Sequence, residues 1–552
     1  MKKLIECVPN FSEGRDMAII NQISAAIETV EGVRLLDVDP GKGTNRTVIT
    51  FVGDEDEVVE AAFRAITKAA ELIDMRKHSG AHPRFGATDV CPFIPVANAT
   101  MQDCIRCAKK LGERVGKELK IPVYLYEYAA SAPHRKNLAN VRAGEYEGIA
   151  QKIKQTDWQP DFGPAEFNQL SGNIAIGARD FLVAYNVNLN TTSTRRANSV
   201  AFDVREQGRK VKNEKGEEVV QPGACKFVKG IGWFIPEYGV AQVSMNLTNI
   251  NETPVHVAFD ECVKSAYNRG MRVTGSELVG LIPLKAMLDA GRYFLEKQQR
   301  STGVSESELI KIAVKSMGLD DLTKFDPKKK IIEYLLQDDS AHPLVNMNLT
   351  QFADETASES PAPGGGSISA YAGTLGVSLA TMVANLSSHK KGWDDRWKEF
   401  SDWAEKGQTI KDQLLKLVDE DTRAFNRIMD AFGLPKSNDA EKAVRKQAIQ
   451  EATKYAIEVP LRVMTLSLQS FDIIKAMAET GNPNSVSDAG VGALCARAAV
   501  YGAYLNVKIN AAGYDDKAFV TETLAKAQQM LDKAVALEAS VLKTVEQKIA
   551  GN

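Results

Sequence analysis

GSISAYAGTLGVSLATMVANL, residues 366–386, runs for 21 positions without a charged side chain. That length is enough to cross a bilayer, so the reading of this stretch separates a membrane protein from a soluble one. Its composition favours the soluble reading. Ser367, Ser369, Thr374, Ser378, Thr381 and Asn385 interrupt it, and Ala and Gly fill much of the rest. Ala372, Gly376, Ala380 and Ala384 recur every fourth residue, which lays small side chains along one helix face. Such a stripe lets a second helix approach closely. The spacing predicts a helix buried inside an α-helical domain.

The surroundings agree. From Gln351 onward the chain has few β-branched runs and long stripes of 3.6-residue period, the pattern of an all-α bundle of roughly 200 residues. Residues 1 to about 330 alternate strand and helix patterns instead. Strands are expected at 4–8, 33–38, 47–52, 90–96, 121–126, 181–189, 226–234 and 240–247, and helices at 16–30, 55–73, 101–119 and 255–270. A charged hairpin tip, REQGRKVKNEKGEE, fills 205–218. The fold class is multidomain: two α/β subdomains (1–178 and 179–325), a charged linker (326–346) and an all-α domain (347–552).

The net charge of -3 argues against a nucleic-acid binder. Seven cysteines without framework spacing fit a reducing, cytoplasmic compartment. Too few apolar residues follow the basic start MKKLIECVPNF for a signal peptide, and the segment reads as a first strand.

Three places could carry chemistry in the first half. KHSGAHPRFGATDV (77–90) is a helix-breaking loop that gathers His78, His82, Arg84, Thr88 and Asp89. An imidazole there can act as a general base. It can equally be a loop histidine bonded to backbone, or one member of a metal site formed by His78, His82 and Asp89. DPGKGTNR (39–46) offers Asp39, Lys42, Asn45 and Arg46, the last suited to a bidentate grip on a carboxylate; otherwise it is a turn. Cys104 and Cys107 have no second pair, and read as helix-face cysteines.

In the helical half Asp421 interrupts a stripe of Leu414, Leu417, Val418, Phe425, Ile428 and Phe432. A carboxyl on a buried stripe should have a raised pKa and is a candidate acid/base, or one end of an interhelical ion pair. Asp419 lies about 160° around the axis from it and points away from the stripe. Gly364, Gly365, Gly366 and Ser367 open the small-residue helix and offer backbone N–H groups to a ligand. Asn482, in the polar loop 481–488, and Asn506, one turn before Asn510, are further candidates.

CVPNFSEG (7–14), SGAHPRFGATD (79–89), PGGGS (363–367), VDED (418–421) and GAYLN (502–506) resemble, in this order, the formimidoyltransferase-cyclodeaminase family. The similarity spans nearly the whole chain. It implies transfer of a formimino group from N-formimino-L-glutamate to N5 of tetrahydrofolate, then attack by N10, loss of ammonia and formation of 5,10-methenyltetrahydrofolate. It implies that His82 is the acid/base of transfer, aided by Arg84 or Asp39, and Asp421 that of closure. It also implies a folate-binding stretch of Gly163, Pro164, Ala165, Glu166, Phe167, Asn168, Gln169, Leu170, Ser171 and Gly172. Asn45 and Arg46 would orient glutamate carboxylates. Tetrahydrofolate, polyglutamylated, is a co-substrate; no tightly bound cofactor, metal, nucleic acid or membrane is expected, and homo-oligomers are. Lys390 and Lys391 would guide the folate tail or stand as solvated charges. Two rival readings stay open: a metal-dependent hydrolase using the 78–89 loop, and a non-catalytic folate-binding scaffold, against which Asp421 on its stripe argues.

Overall fold

The computed structural model describes residues 3–80, 83–337 and 342–551. They form two compact units, Met1–Met287 with Val314–Leu336, and Leu288–Ala313 with Gln337–Asn552.

The first unit opens with β1 (Leu4–Cys7), β2 (Asn10–Phe11), α1 (Met17–Glu28), β3 (Arg34–Gly41), β4 (Arg46–Gly53), α2 (Glu55–Leu72), β5 (Thr88–Ala97), α3 (Met101–Arg114), β6 (Val123–Glu127), α4 (Leu138–Arg142), α5 (Glu145–Lys152) and β7 (Ile174–Ala178). β1 and β2 lie end to end between β4 and β5; β3 adds to the outer side of β4, and β7 and β6 continue from β5 in parallel. Reciprocal capping boxes, Asp54 with Glu57 and Thr100 with Asp103, start α2 and α3. These helices cover one sheet face, where Ile5, Cys7, Phe51 and Ile176 are buried. By strand alternation Glu6 turns to the opposite face. Cys104 and Cys107 are buried on α3, and all seven cysteines are free thiols.

The chain continues through β8 (Val183–Leu189), α6 (Thr194–Val204), β9 (Arg209–Lys212), β10 (Glu218–Gln221), β11 (Val228–Ile235), β12 (Val240–Leu247), α7 (Val255–Tyr267) and β13 (Val273–Val279). β11, β12, β8 and β13 form an antiparallel sheet in that order, and β9 with β10 makes the exposed hairpin expected near 205–218. No strand was legible at β13, because Gly275 and Glu277 break its apolar alternation. The glycine is required there: a Cβ would run into Asp321 and the carbonyl of Gly318.

Beyond α8 (Leu284–Lys297) and α9 (Glu306–Met317), the start of the expected linker is ordered as α10 (Pro327–Lys330) and α11 (Ile332–Leu336). Ile331 and Ile332 are buried, and Ile331 bridges to Ile282. The lysine run hid two anchoring isoleucines.

The second unit carries α12 (Leu349–Thr356), α13 (Gly365–Ser388), α14 (Trp397–Gly433), α15 (Asp439–Thr480), α16 (Val486–Ala511) and α17 (Lys517–Ala550). α13 packs against α14, α15 and α16. It is long and apolar enough to cross a membrane, yet 61% of its apolar window is buried within the protein. Gly376, Ala380 and Ala384 are buried as the stripe predicts, while Ala372 is half-buried. A Cβ on Gly376 would come within 2.8 Å of the carbonyl of Gly492, so α13 and α16 touch backbone to backbone.

Candidate active sites

In the first unit the loop after α2 is wired from below. His78 shares a hydrogen bond of 2.9 Å between its Nε2 and the carbonyl of Asn45. Asn45, at φ +50, donates to the carbonyl of Ser79 at 2.9 Å and accepts from the N–H of Gly14 at 3.0 Å. Arg84 donates to the carbonyls of Met75 (3.2 Å) and His78, reaches Glu147 and lies over the Tyr146 ring. Arg46 and Arg142 both pair with the buried carboxylate of Asp89, and Arg46 also donates to Asn10. Asn45, Arg46 and Arg84 were expected to meet the substrate. Their polar groups instead hold the loop, because buried donors must find acceptors. His82 lies outside the described residues.

The stretch Gly163–Gly172 comes to the same place. The carbonyl of Leu170 accepts from Met75 N at 2.9 Å and that of Ser171 from Ala87 N at 2.8 Å, while Tyr146 packs on Phe167 and donates to the Gln169 carbonyl. Asn168 closes its own turn on Leu170 and Ser171. The expected folate stretch and the 77–87 loop are thus one construction.

Asp39 stands opposite Val48 across the β3–β4 pair. On β3 it is half-buried and within electrostatic reach of Lys330 and Glu277, and burial pushes its carboxyl up. Glu277 belongs to a polar face of the second sheet, set by register: Asn186 stands opposite Glu277, and Asn188 opposite Gln242. Glu277 accepts from Tyr238 (3.0 Å), Asn186 (3.0 Å) and Gln242 (3.2 Å). Sequence reading followed the apolar alternation of β12 and missed its polar partner face.

Glu6 was missed too. Burial pushes its carboxyl up to about 7, with Arg179 opposing. Between the ordinary 4.5 and 7 the folded chain holds a proton that the unfolded chain has lost. Stability therefore falls as pH rises through that window, and the full penalty stands above it. Glu6→Gln is expected to stabilise the first unit by about 3 kcal/mol at pH 8 and by little near pH 4. Denaturant unfolding at both pH values checks this.

In the helical unit one turn of α14 meets three elements. Ser367 Oγ donates to the carbonyl of Val418 at 2.8 Å and lies 3.2 Å from Asp421 Oδ2. The Ser367 backbone N–H also donates to the Asp421 carboxylate. Gly364, the N-cap of α13, has no side chain to offer, so Asp421 caps that helix from its neighbour. Gly366 makes room, since a Cβ there would overlap the carboxylate. Burial pushes the Asp421 carboxyl up, the two Ser367 bonds pull it down, and burial wins. Asn506 stands beside Gly365 and donates to Gly502 at 2.9 Å. Glu420 turns to Tyr455 and Arg462.

Two expectations need correction here, and Asp419 gains partners. The stripe does not stay buried past Asp421: Leu414, Leu417 and Val418 are covered, but Phe425 is 38% and Phe432 50% exposed. α14 and α15, at 37 and 42 residues, outrun α13 and α16, at 24 and 26, so past Asp421 only part of the α14 surface is covered: Ala424 and Ala431 are buried. Asp419, expected to point away from the stripe, is 1% exposed on its own side, accepting from the backbone N–H of Leu344 at 2.8 Å and Val345 at 3.3 Å. Asn482 is not beside Asp421: its backbone N–H donates to Ser387 Oγ at 2.8 Å. Ser387 stands about 30 Å along α13 from Ser367.

Three family profiles match the chain: formiminotransferase domain, N-terminal subdomain, over 4–179; formiminotransferase domain over 184–337; and formiminotransferase-cyclodeaminase over 348–529. A formimidoyltransferase-cyclodeaminase of Dictyostelium discoideum is 43% identical over 99% of both chains. The chain belongs to the formimidoyltransferase-cyclodeaminase family. Relatives also match its halves separately. Glutamate formimidoyltransferase of Streptococcus pyogenes is 42% identical over 54% of this chain and 94% of its own, and methenyltetrahydrofolate cyclohydrolase of Methylorubrum extorquens 39% over 37% and 98%.

Within the chain the structure joins Gly364–Ser367, Asn506 and Asp421 in one place, and residues 75–80 and 84–87 with Gly163–Gly172 in another. Within the helical unit it leaves Asn482 apart from Asp421. Lys390 rests over Trp393 at 4.1 Å and Lys391 is exposed. Arg142 and Tyr146, which brace the loop, gave no signal in the sequence because their partners are far away along the chain.

Proposed function

We propose that the first unit moves the formimino group of N-formimino-L-glutamate to N5 of tetrahydrofolate, and that the helical unit closes the ring to 5,10-methenyltetrahydrofolate with release of ammonia, serving histidine degradation and one-carbon metabolism. The carboxyl of Asp421 carries the reading of the second step. Its raised pKa suits a group that must take a proton and give it back. As carboxylate it removes the N10 proton while N10 attacks the formimino carbon; as acid it returns that proton to the departing amine, and ammonia leaves.

In the first step His82 takes the N5 proton and delivers it to the glutamate nitrogen. The His78, Asn45 and Arg84 bonds support this by fixing the loop that bears His82 at both ends. Asp89 is occupied by Arg46 and Arg142, which speaks against its serving as a metal ligand. Tetrahydrofolate, in polyglutamylated form, is the co-substrate. We further infer a cytoplasmic homo-oligomer. Seven free thiols support the compartment; exposed Leu375, Met382 and Leu386 on α13, with Leu494, Tyr501 and Leu505 on α16, support assembly.

The test follows methenyl absorbance and ammonia together after mixing protein, tetrahydrofolate and formiminoglutamate. Equal rises support both steps; neither rising, with folate bound, favours the scaffold reading. His82→Ala is expected to lose transfer by about a hundredfold and to close supplied 5-formiminotetrahydrofolate at the normal rate. Unchanged transfer refutes the assignment of His82.

A further inference from the structure

The segment from Leu344 to Ser367 leaves one turn of α14 and returns to it. At its start the N–H groups of Leu344 and Val345 donate to Asp419, with His342 Nδ1 3.9 Å from the same carboxylate. At its end Ser367 is bonded to Val418 and Asp421. Between these clips the segment is held by partial packing of Met347 and Phe352 on the core and by the buried Pro363. α12 buries none of its side chains, and its Phe352 meets Tyr371 at a ring distance of 5.5 Å while remaining half-buried. Segments with few buried contacts open locally at low free energy, so their end contacts set where they lie.

The far end of this segment is Gly364–Gly366, the backbone against which the Asp421 carboxylate rests. We propose that Asp419 is a positioning residue for ring closure: by clipping Leu344 and Val345 to α14, it holds the segment that presents Gly364–Ser367 to Asp421. Asp419 touches no reacting atom in this scheme. Its two accepted bonds come from backbone N–H groups, which no other side chain on that turn faces: Glu420 is taken by Tyr455 and Arg462, and Asp421 by Ser367. The proposal rests on the reading of Asp421 as the acid/base of closure.

The experiment compares Asp419→Ala, Asp419→Asn and Asp421→Asn in the full-length chain. Closure is measured on supplied 5-formiminotetrahydrofolate, transfer serves as internal control, and hydrogen exchange is read over 344–362. Asp419→Ala is expected to lose at least about tenfold in kcat for closure, with KM nearly unchanged, transfer intact and exchange faster across the segment. Asp419→Asn keeps an acceptor oxygen for Leu344 N–H and should stay within about threefold of the parent. Closure at the parent rate in Asp419→Ala overturns the proposal, as does an equal loss in both variants that follows only the folded fraction. If Asp419→Ala does not fold, Asp419→Asn decides: a small kcat loss with faster exchange supports the clip, and unchanged exchange overturns it. Normal closure in Asp421→Asn would instead remove the reading beneath it.

Discussion

Asp421→Asn is expected to slow ring closure by about a thousandfold while formimino transfer continues at its full rate. The size follows from asking one group to work twice. The amide is almost the same shape and still accepts from Ser367, so α13 keeps its cap. It can neither take the N10 proton nor return it to the amine. The pH profile gives a second reading of the same residue. Burial raises the Asp421 carboxyl above its ordinary range, so the ionised form that begins the reaction is lost as pH falls through that raised value. Closure by the parent protein should therefore decline on the acid side at a higher pH than a solvated aspartate would give, and this limb should vanish in the residual rate of the variant. Rapid absorbance measurements on 5-formiminotetrahydrofolate between pH 4 and 8 would show it. A variant closing within a few-fold of the parent would remove Asp421 from the mechanism.

Gly366→Ala should be nearly as damaging, for a reason opposite to the usual one. Exchanging glycine for alanine inside a helix ordinarily stabilises by roughly 0.5–1 kcal/mol. At this position the added methyl would overlap all three atoms of the Asp421 carboxylate. Either α13 and α14 move apart or the carboxylate swings off the helix end, and both break its bonds to Ser367. The expected result is a loss of about a hundredfold in closure together with no gain in thermal stability. Gly364→Ala, where a Cβ would meet only the carbonyl of Pro361 at 3.7 Å, is the matched control and should close the ring at close to the parent rate. A stabilised, fully active Gly366→Ala would mean that the carboxylate does not sit against α13.

Most elements were legible because their signals are local. The alternation of β12 and the four-residue stripe of α13 can both be read within a dozen or so residues. What escaped depends on contacts between distant positions. The apolar period around Asp421 was correct as a period. It could not say that α14 outruns α13 and α16, so Phe425 and Phe432 emerge into solvent. Asp419 was placed on the correct side of the helix, but nothing near it in the chain announces Leu344 and Val345 as its partners. Arg46 and Arg84 looked like ligand-binding groups because an arginine near a loop has the same appearance whether it grips a substrate or the loop itself. Asn482 failed for a plainer reason: polarity marks a surface turn at either end of a bundle, and this one is at the wrong end.

The backbone contact between α13 and α16 has a consequence for biosynthesis. Leu386 leaves the ribosome about 125 residues ahead of the end of α16, an interval of roughly 6–25 s at usual rates of elongation. Throughout it the chain displays an uncharged segment that targeting machinery selects by length and apolarity. Its serines, threonines and glycines lower that appeal while the permanent cover is still being translated. A message truncated before Val486 would leave the α16 side of the segment uncovered for good, and its product would be a substrate for chaperones and proteases rather than a smaller folded domain.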